Sequence, residues 1–194
     1  VDGDTCHIDV IDRHGNMVSA TPSGGWLQSS PAIPALGCCL GTRAQMFWLE
    51  EGLPGSLAPG KRPRTTLSPS FALRRGEAYM PFGTPGGDGQ DQWTLIFFLR
   101  HILHGYNLQE AIDAPTFQSH HFPSSFFPRQ AEPGRLVLEG RYPDATVDAL
   151  KRLGHGVEVA GPWTQGRISA CAKDGALLKA AANPRLMQGY AVGR

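Results

Sequence analysis

The sequence predicts an α+β domain, because segments with strand character stand at both ends of the chain and the clearest helices lie between them. Apolar runs flank tight turns near the start of the chain, and apolar residues recur at helical spacing over residues 90–104. Short apolar runs return after residue 156. With 194 residues, 41% hydrophobic and 18% charged, the whole chain, 1–194, suits a single folded domain.

Two hairpins are predicted in the first half of the chain. The first joins strands at 5–11 and 17–21, and the second joins 70–73 and 78–82 across Arg75-Gly76. A short strand is expected at 36–40. Residues 50–69, rich in glycine and proline, are expected to form a long ordered loop of the kind that often carries function.

Three helices and three further strands are expected in the second half. In the longest helix, apolar residues from Trp93 to Leu103 recur at helical spacing, and Gly105 ends it. The shorter helices are predicted at 108–113 and 143–153, and the strands at 156–159, 168–172 and 177–181. Residues 117–134 are predicted to be irregular and aromatic.

Composition argues against several classes of partner. A net charge of +1 gives no reason to expect nucleic acid or a membrane surface, and no apolar run approaches the roughly 20 residues of a membrane span. The four cysteines match no zinc spacing and are expected to be free and largely buried. We expect neither a metal nor an organic cofactor.

Two features point to acyl transfer. Thr5 heads the first strand, and Gly86-Gly87 form a turn between a strand and the longest helix. A hydroxyl can attack a carbonyl, and free backbone N–H groups at a helix start can hold the oxyanion that forms. The neighbouring Cys6 is an alternative nucleophile, since a thiol is intrinsically more reactive.

The order of several motifs resembles the small subunit of the γ-glutamyltranspeptidase family. They are Thr5-Cys6-His7, the 59–69 block Pro-Gly-Lys-Arg-Pro-Arg-Thr-Thr-Leu-Ser-Pro, Pro85-Gly86-Gly87, Ala114-Pro115 and Asn183-Pro184-Arg185. The resemblance implies a four-layer αββα N-terminal-nucleophile hydrolase sandwich, of which this chain is the small-subunit portion. It also implies self-cleavage before Thr5, with residues 1–4 as precursor residues, and a large subunit from the same precursor as partner.

The resemblance also assigns roles within the site. It implies Thr5 as the nucleophile, Gly86 and Gly87 as the oxyanion hole, and Ser23 in place of a second threonine that orients the nucleophile. Thr65 and Thr66 match a pair of serines that hold the substrate carboxylate. The simpler interpretation of these three hydroxyls is that they are ordinary loop groups.

Three positions depart from the family pattern. Gly25 stands where the family has asparagine, and Arg43 and Met46 stand where it has residues that bind the α-amino group of a γ-glutamyl substrate. Arg43 suits an anionic group instead. We therefore expect an amide hydrolase or acyltransferase acting on a small-molecule acyl amide that is not necessarily γ-glutamyl. The alternative is a catalytically silent relative that serves as a structural or binding subunit.

Overall fold

The computed structural model describes residues 5–25, 30–187 and 189–193. The predicted cleavage site after Asp4 therefore involves residues outside the described ranges. The strands are β1 (Ile8–Ile11), β2 (Met17–Ala20), β3 (Ala32–Ile33), β4 (Cys38–Cys39), β5 (Ser70–Arg74), β6 (Glu77–Gly83), β7 (Phe117–Ser119), β8 (Arg135–Glu139), β9 (Gly156–Ala160), β10 (Ser169–Asp174) and β11 (Leu177–Ala182). The α-helices are α1 (Gln90–Ile102), α2 (Leu108–Asp113) and α3 (Asp144–Arg152).

An antiparallel sheet of four strands, in the order β11-β10-β6-β5, forms the centre of the fold. Alternation along β10 points Ala170 and Ala172 to one face and Ser169 and Cys171 to the other. The first face packs against α1 and α2 in a core that includes Phe97. The mixed helix and sheet confirm the α+β prediction.

The β1–β2 hairpin forms a second layer on the opposite face of this sheet. Ser19 Oγ donates to the Phe82 carbonyl, and Cys171 Sγ lies 3.6 Å from the Asp9 carbonyl oxygen. The outer face of the hairpin exposes the apolar side chains of Ile8, Val10 and Val18, at 50%, 48% and 54%. Helix, sheet and sheet are thus three layers of the sandwich, and the outer hairpin face is apolar enough to take a fourth.

A smaller unit follows α2 in the chain. It is a three-stranded sheet, β7-β8-β9, in which β8 and β9 are parallel and are connected through α3. The expectation of irregular structure from residue 117 onward was wrong for β7, because Phe117 and Ser119 gain backbone partners on β8. Those partners are distant in sequence, so local pattern alone does not reveal them.

Two local predictions in the first half need correction. The segment 36–40 is not one strand, because a 3₁₀ turn at Pro34–Leu36 and a left-handed Gly37 precede the two-residue β4. The cysteines are free, but Cys6 and Cys38 are exposed and the other two are half-buried, so the expectation of burial was wrong. Across the described ranges, no helix is long and apolar enough to cross a membrane.

Candidate active site

The register of the β1–β2 hairpin places Thr5 beside Ser23. Ile8 pairs with Ala20, and the pairing continues toward the chain start, where the Cys6 N–H donates to the Pro22 carbonyl. One residue further, the hydroxyl oxygens of Thr5 and Ser23 are 2.6 Å apart. The predicted nucleophile and its predicted orienting hydroxyl are therefore hydrogen-bonded.

The His7 side chain connects the two strands at this end of the hairpin through hydrogen bonds. Its Nδ1 lies 2.7 Å from Thr21 Oγ1, and its Nε2 lies 3.0 Å from the Asp9 carboxylate, which also accepts from Ser169 Oγ at 2.9 Å. The His7 and Asp9 side chains are almost fully buried. A buried polar network with its groups paired holds one geometry, so these contacts set the position of β1 on β10.

The same imidazole packs against Gly83, the last residue of β6 and three residues before Gly86. A side-chain carbon added at Gly83 would lie 2.4 Å from His7 Cε1, so only glycine fits at the end of β6. The turn begins directly after Gly83, and Pro85 lines the same cavity as Thr5. The structure therefore brings the candidate nucleophile and the candidate oxyanion turn to one place.

The turn itself needs glycine for two different reasons. Gly86 has φ of +129°, and a side-chain carbon there would lie 2.3 Å from the Trp93 ring; Gly87 has φ of +55°. A 3₁₀ turn at Gly87–Gly89 leads straight into α1. The N–H groups of Gly86 and Gly87 thus precede a helix, where amides lack intrahelical acceptors and the dipole favours negative charge.

Arg43 lies beside the turn that carries Ser23. A side-chain carbon added at Gly24 would lie 2.7 Å from Thr42 Oγ1 and 3.6 Å from Arg43 Nε. Arg43 is half-buried, and burial lowers the pKa of its guanidinium. Its Nε is buried and finds no acceptor among the described residues. A desolvated cation with an unused donor suits an anionic ligand group.

The remaining sequence-predicted residues are placed less directly. Thr65 Oγ1 accepts from the Leu67 N–H at 3.1 Å, and Thr66 is buried. Ser68, in the same loop, donates to Asp91 and to Gln90 at the start of α1, which holds the loop near the oxyanion turn. Substrate contact by Thr65 and Thr66 stays a prediction. Met46 is 1% exposed and is therefore a core residue.

The cavity shared by Thr5 and Pro85 has a volume of about 320 Å³. Thr5, Cys6, Asp9 and Cys171 are among its lining residues. Burial and the Asp9 charge raise the pKa of Cys171 to about 11, so its thiol stays protonated at neutral pH. Cys171 is accordingly a poor candidate for the nucleophile, although it lies close by.

Comparison with known proteins gives the family. The γ-glutamyltranspeptidase family model matches residues 1–193. The chain belongs to the γ-glutamyltranspeptidase family.

A solved structure of LmbA2991 with one threonine replaced by alanine is 59% identical to this chain, with a TM-score of 0.92, over 99% of this chain and 34% of that one. The oxamate amidohydrolase proenzyme of Klebsiella pneumoniae is 34% identical, over 94% of this chain and 34% of its own length. A γ-glutamyltranspeptidase chain from Pseudomonas nitroreducens, solved with L-DON, is 25% identical with a TM-score of 0.73, over 97% of both chains. The chain thus spans about a third of the length of the first two relatives, and the N-terminal-nucleophile hydrolase fold is confirmed.

Two clusters outside the predicted site residues could not be expected from the sequence. Asp88 accepts hydrogen bonds from Ser124 and Ser125. Glu139 is fully buried and accepts from Arg185 at 2.7 Å and from Arg141 at 2.6 Å. In three of these four pairs the partners are 36 or more residues apart, so no spacing pattern in the sequence signals them. Arg185 of the Asn183-Pro184-Arg185 motif has this buried carboxylate as its partner.

Burial opposes ionisation of Glu139, but the hydrogen bonds and charges of Arg185, Gln165 and Arg141 outweigh it. The pKa of this carboxyl therefore lies below its usual range. Glu139 also accepts from the Thr164 and Gln165 N–H groups, and two residues later the Arg167 N–H donates to Thr84 Oγ1 at 3.0 Å. Thr84 leads into the oxyanion turn, so the Glu139 cluster supports that turn from behind.

Proposed function

We propose that this chain is the catalytic small-subunit part of an amidohydrolase or acyltransferase whose nucleophile is Thr5. The observation that carries the proposal is the 2.6 Å contact between the Thr5 and Ser23 hydroxyls, with Thr5 lining the same cavity as Pro85, the residue before Gly86-Gly87. The names of relatives, an amidohydrolase among them, support the same class of reaction.

Maturation would begin at the bond between Asp4 and Thr5. The Thr5 hydroxyl attacks the Asp4 carbonyl carbon, the C–N bond breaks, and the acyl group moves to Thr5 as an ester. Water then hydrolyses that ester, which releases the upstream chain and leaves Thr5 with a free α-amine. Such an amine has a pKa of about 8, so a useful fraction is neutral near pH 7 and can act as the general base.

Acyl transfer follows from the same geometry. The amine takes the Thr5 hydroxyl proton as the oxygen attacks the substrate carbonyl, and Ser23 holds that hydroxyl in place. The oxyanion accepts from the N–H groups of Gly86 and Gly87. Collapse breaks the amide bond, the leaving amine takes the proton, and water or a second amine then attacks the Thr5 ester.

The substrate we favour has an acyl part that carries a carboxylate and no α-amine. Arg43, half-buried with an unused Nε donor, would bind the carboxylate, with Thr65 and Thr66 as further hydroxyl ligands. Gly25 offers no side chain, and a carbon added there would lie 3.1 Å from the Cys39 carbonyl oxygen. Oxamate, which the Klebsiella relative is named for, is an amide with a carboxylate and no α-amine.

The nucleophile is tested in the full-length precursor. Thr5→Ala should stay as one chain and release no p-nitroaniline from glutaryl p-nitroanilide. Cys6→Ala is the matched control, because its side chain is adjacent and exposed, and it should cleave and turn over like the wild type. A chain beginning at residue 5 in Thr5→Ala, seen by intact mass, would contradict the proposal.

Substrate choice is tested with two donors that share one leaving group. The processed enzyme should use glutaryl p-nitroanilide at least tenfold better than γ-glutamyl p-nitroanilide, because an ammonium group near Arg43 would be unpaired and repelled. Arg43→Gln should reduce this preference. A clear preference of the wild type for the γ-glutamyl compound would show that other residues bind the amine.

A further inference from the structure

The irregular segment 120–130, called the aromatic loop below, is fixed to both halves of the candidate site. On one side Asp88, the residue after Gly87, accepts from the Ser125 N–H at 2.9 Å and from the Ser124 hydroxyl at 3.1 Å. The Ser125 hydroxyl also donates to this carboxylate, and Ser125 is 1% exposed. These bonds tie the loop directly to the oxyanion turn.

The second attachment leads to the segment that begins with Arg43. Arg129 donates to the Met46 carbonyl at 3.1 Å and to the Phe47 carbonyl at 2.7 Å, and its guanidinium lies 4.0 Å from the Trp48 ring centroid. The same side chain donates to the Ser125 carbonyl at 2.8 Å within the loop. Arg129 therefore joins the aromatic loop to the 3₁₀ turn at Arg43–Met46.

Phe126 lies between these two attachments. A side-chain carbon built on Gly87 would lie 3.6 Å from Phe126 Cε2, which is an ordinary contact distance. The ring edge therefore lies against the side of Gly87 on which a side chain would stand. Phe126 is half-buried, whereas Phe122 and Phe127 in the same loop are 80% and 83% exposed.

We propose that Phe126 is a substrate-binding residue that forms the apolar wall of the acyl pocket. The proposal rests on the proposed function, since it places the substrate carbonyl at Gly86-Gly87 and its carboxylate at Arg43. The carbons between those two groups then lie along the Phe126 ring. The pocket selects an acyl chain with several methylene groups that ends in a carboxylate, and the ring stabilises each methylene by removing it from water.

The test uses two p-nitroanilides that differ only in the length of the acyl chain, glutaryl and malonyl. Glutaryl has two more methylene groups, so Phe126→Ala should lower the glutaryl-to-malonyl ratio of kcat/KM about tenfold. Phe126→Leu keeps apolar surface and should lower it less. Phe122→Ala is the control and should leave the ratio unchanged, because its ring is exposed in the same loop.

The possible results separate the two proposals. Formation of an acyl adduct on Thr5 by the wild type, followed by intact mass, reports on the proposed function. An adduct together with a ratio that Phe126→Ala leaves unchanged would overturn the assignment of Phe126 alone. An equal fall in kcat/KM for both anilides would mean that Phe126 only supports the turn, and this result would also overturn its assignment to substrate binding. Turnover of neither anilide and no adduct would overturn the nucleophile and the pocket together.

Discussion

Replacing Gly87 with alanine should separate catalysis from folding. Gly87 has φ of +55°, and an added carbon would meet only Phe126 Cε2, at 3.6 Å. The space is adequate, so the cost is the left-handed backbone, about 1–2 kcal/mol. The peptide joining Gly86 and Gly87 can relieve that strain by rotating, which moves a donor away from the oxyanion. Loss of one such donor lowers kcat about 10²–10³-fold.

Gly76→Ala is the matched control for this experiment. Gly76 has φ of +85° in the β5–β6 turn, and an added carbon there would meet nothing within 4 Å. The strain is therefore similar, but the site is the far end of the hairpin from Gly83. The thermal unfolding midpoint should fall no more in Gly87→Ala than in Gly76→Ala, while kcat for glutaryl p-nitroanilide falls only with Gly87→Ala. Unchanged kcat in Gly87→Ala would refute the oxyanion role of this turn.

Three further outcomes are expected. Ser23→Ala should lower kcat about tenfold because the hydrogen bond to Thr5 is lost, while Ser23→Thr should retain activity. Equal kcat in the two variants would show that the Ser23 hydroxyl has no role in catalysis. Glu139→Gln should lower the free energy of unfolding by about 3–5 kcal/mol near pH 7. Because the pKa of Glu139 is depressed in the fold, its charge contributes fully above the unfolded-state pKa of about 4.3, and the contribution declines as the pH falls from there through the lower folded pKa. Urea unfolding at pH 3.5 should therefore show a smaller difference between Glu139→Gln and wild type than at pH 7. In light scattering, this chain expressed alone should self-associate through the apolar face of Ile8, Val10 and Val18. A monodisperse, cooperatively folding monomer would contradict the expectation of an obligate large-subunit partner.

Local pattern predicted most elements because their signals are short-range. The helix 108–113 has the predicted bounds, since Asn107 and Glu110 form a capping box within four residues. The β5–β6 hairpin follows from Arg75-Gly76, both with positive φ. In contrast, β7 and β8 depend on partners brought together only by the fold. Neither segment shows an alternation of apolar and polar residues that would distinguish it from a loop.

By itself, the sequence determined the family, the fold class and the identity of the residues expected to act, because motif order and turn chemistry are local properties. The tertiary structure decided which of those residues meet. Hairpin register placed Thr5 against Ser23, and tight packing at Gly24 placed Arg43 beside them. It also attached the aromatic loop to Asp88 and Arg129. Such contacts join residues far apart in sequence, and their geometry is set by the burial and hydrogen bonding of the whole fold.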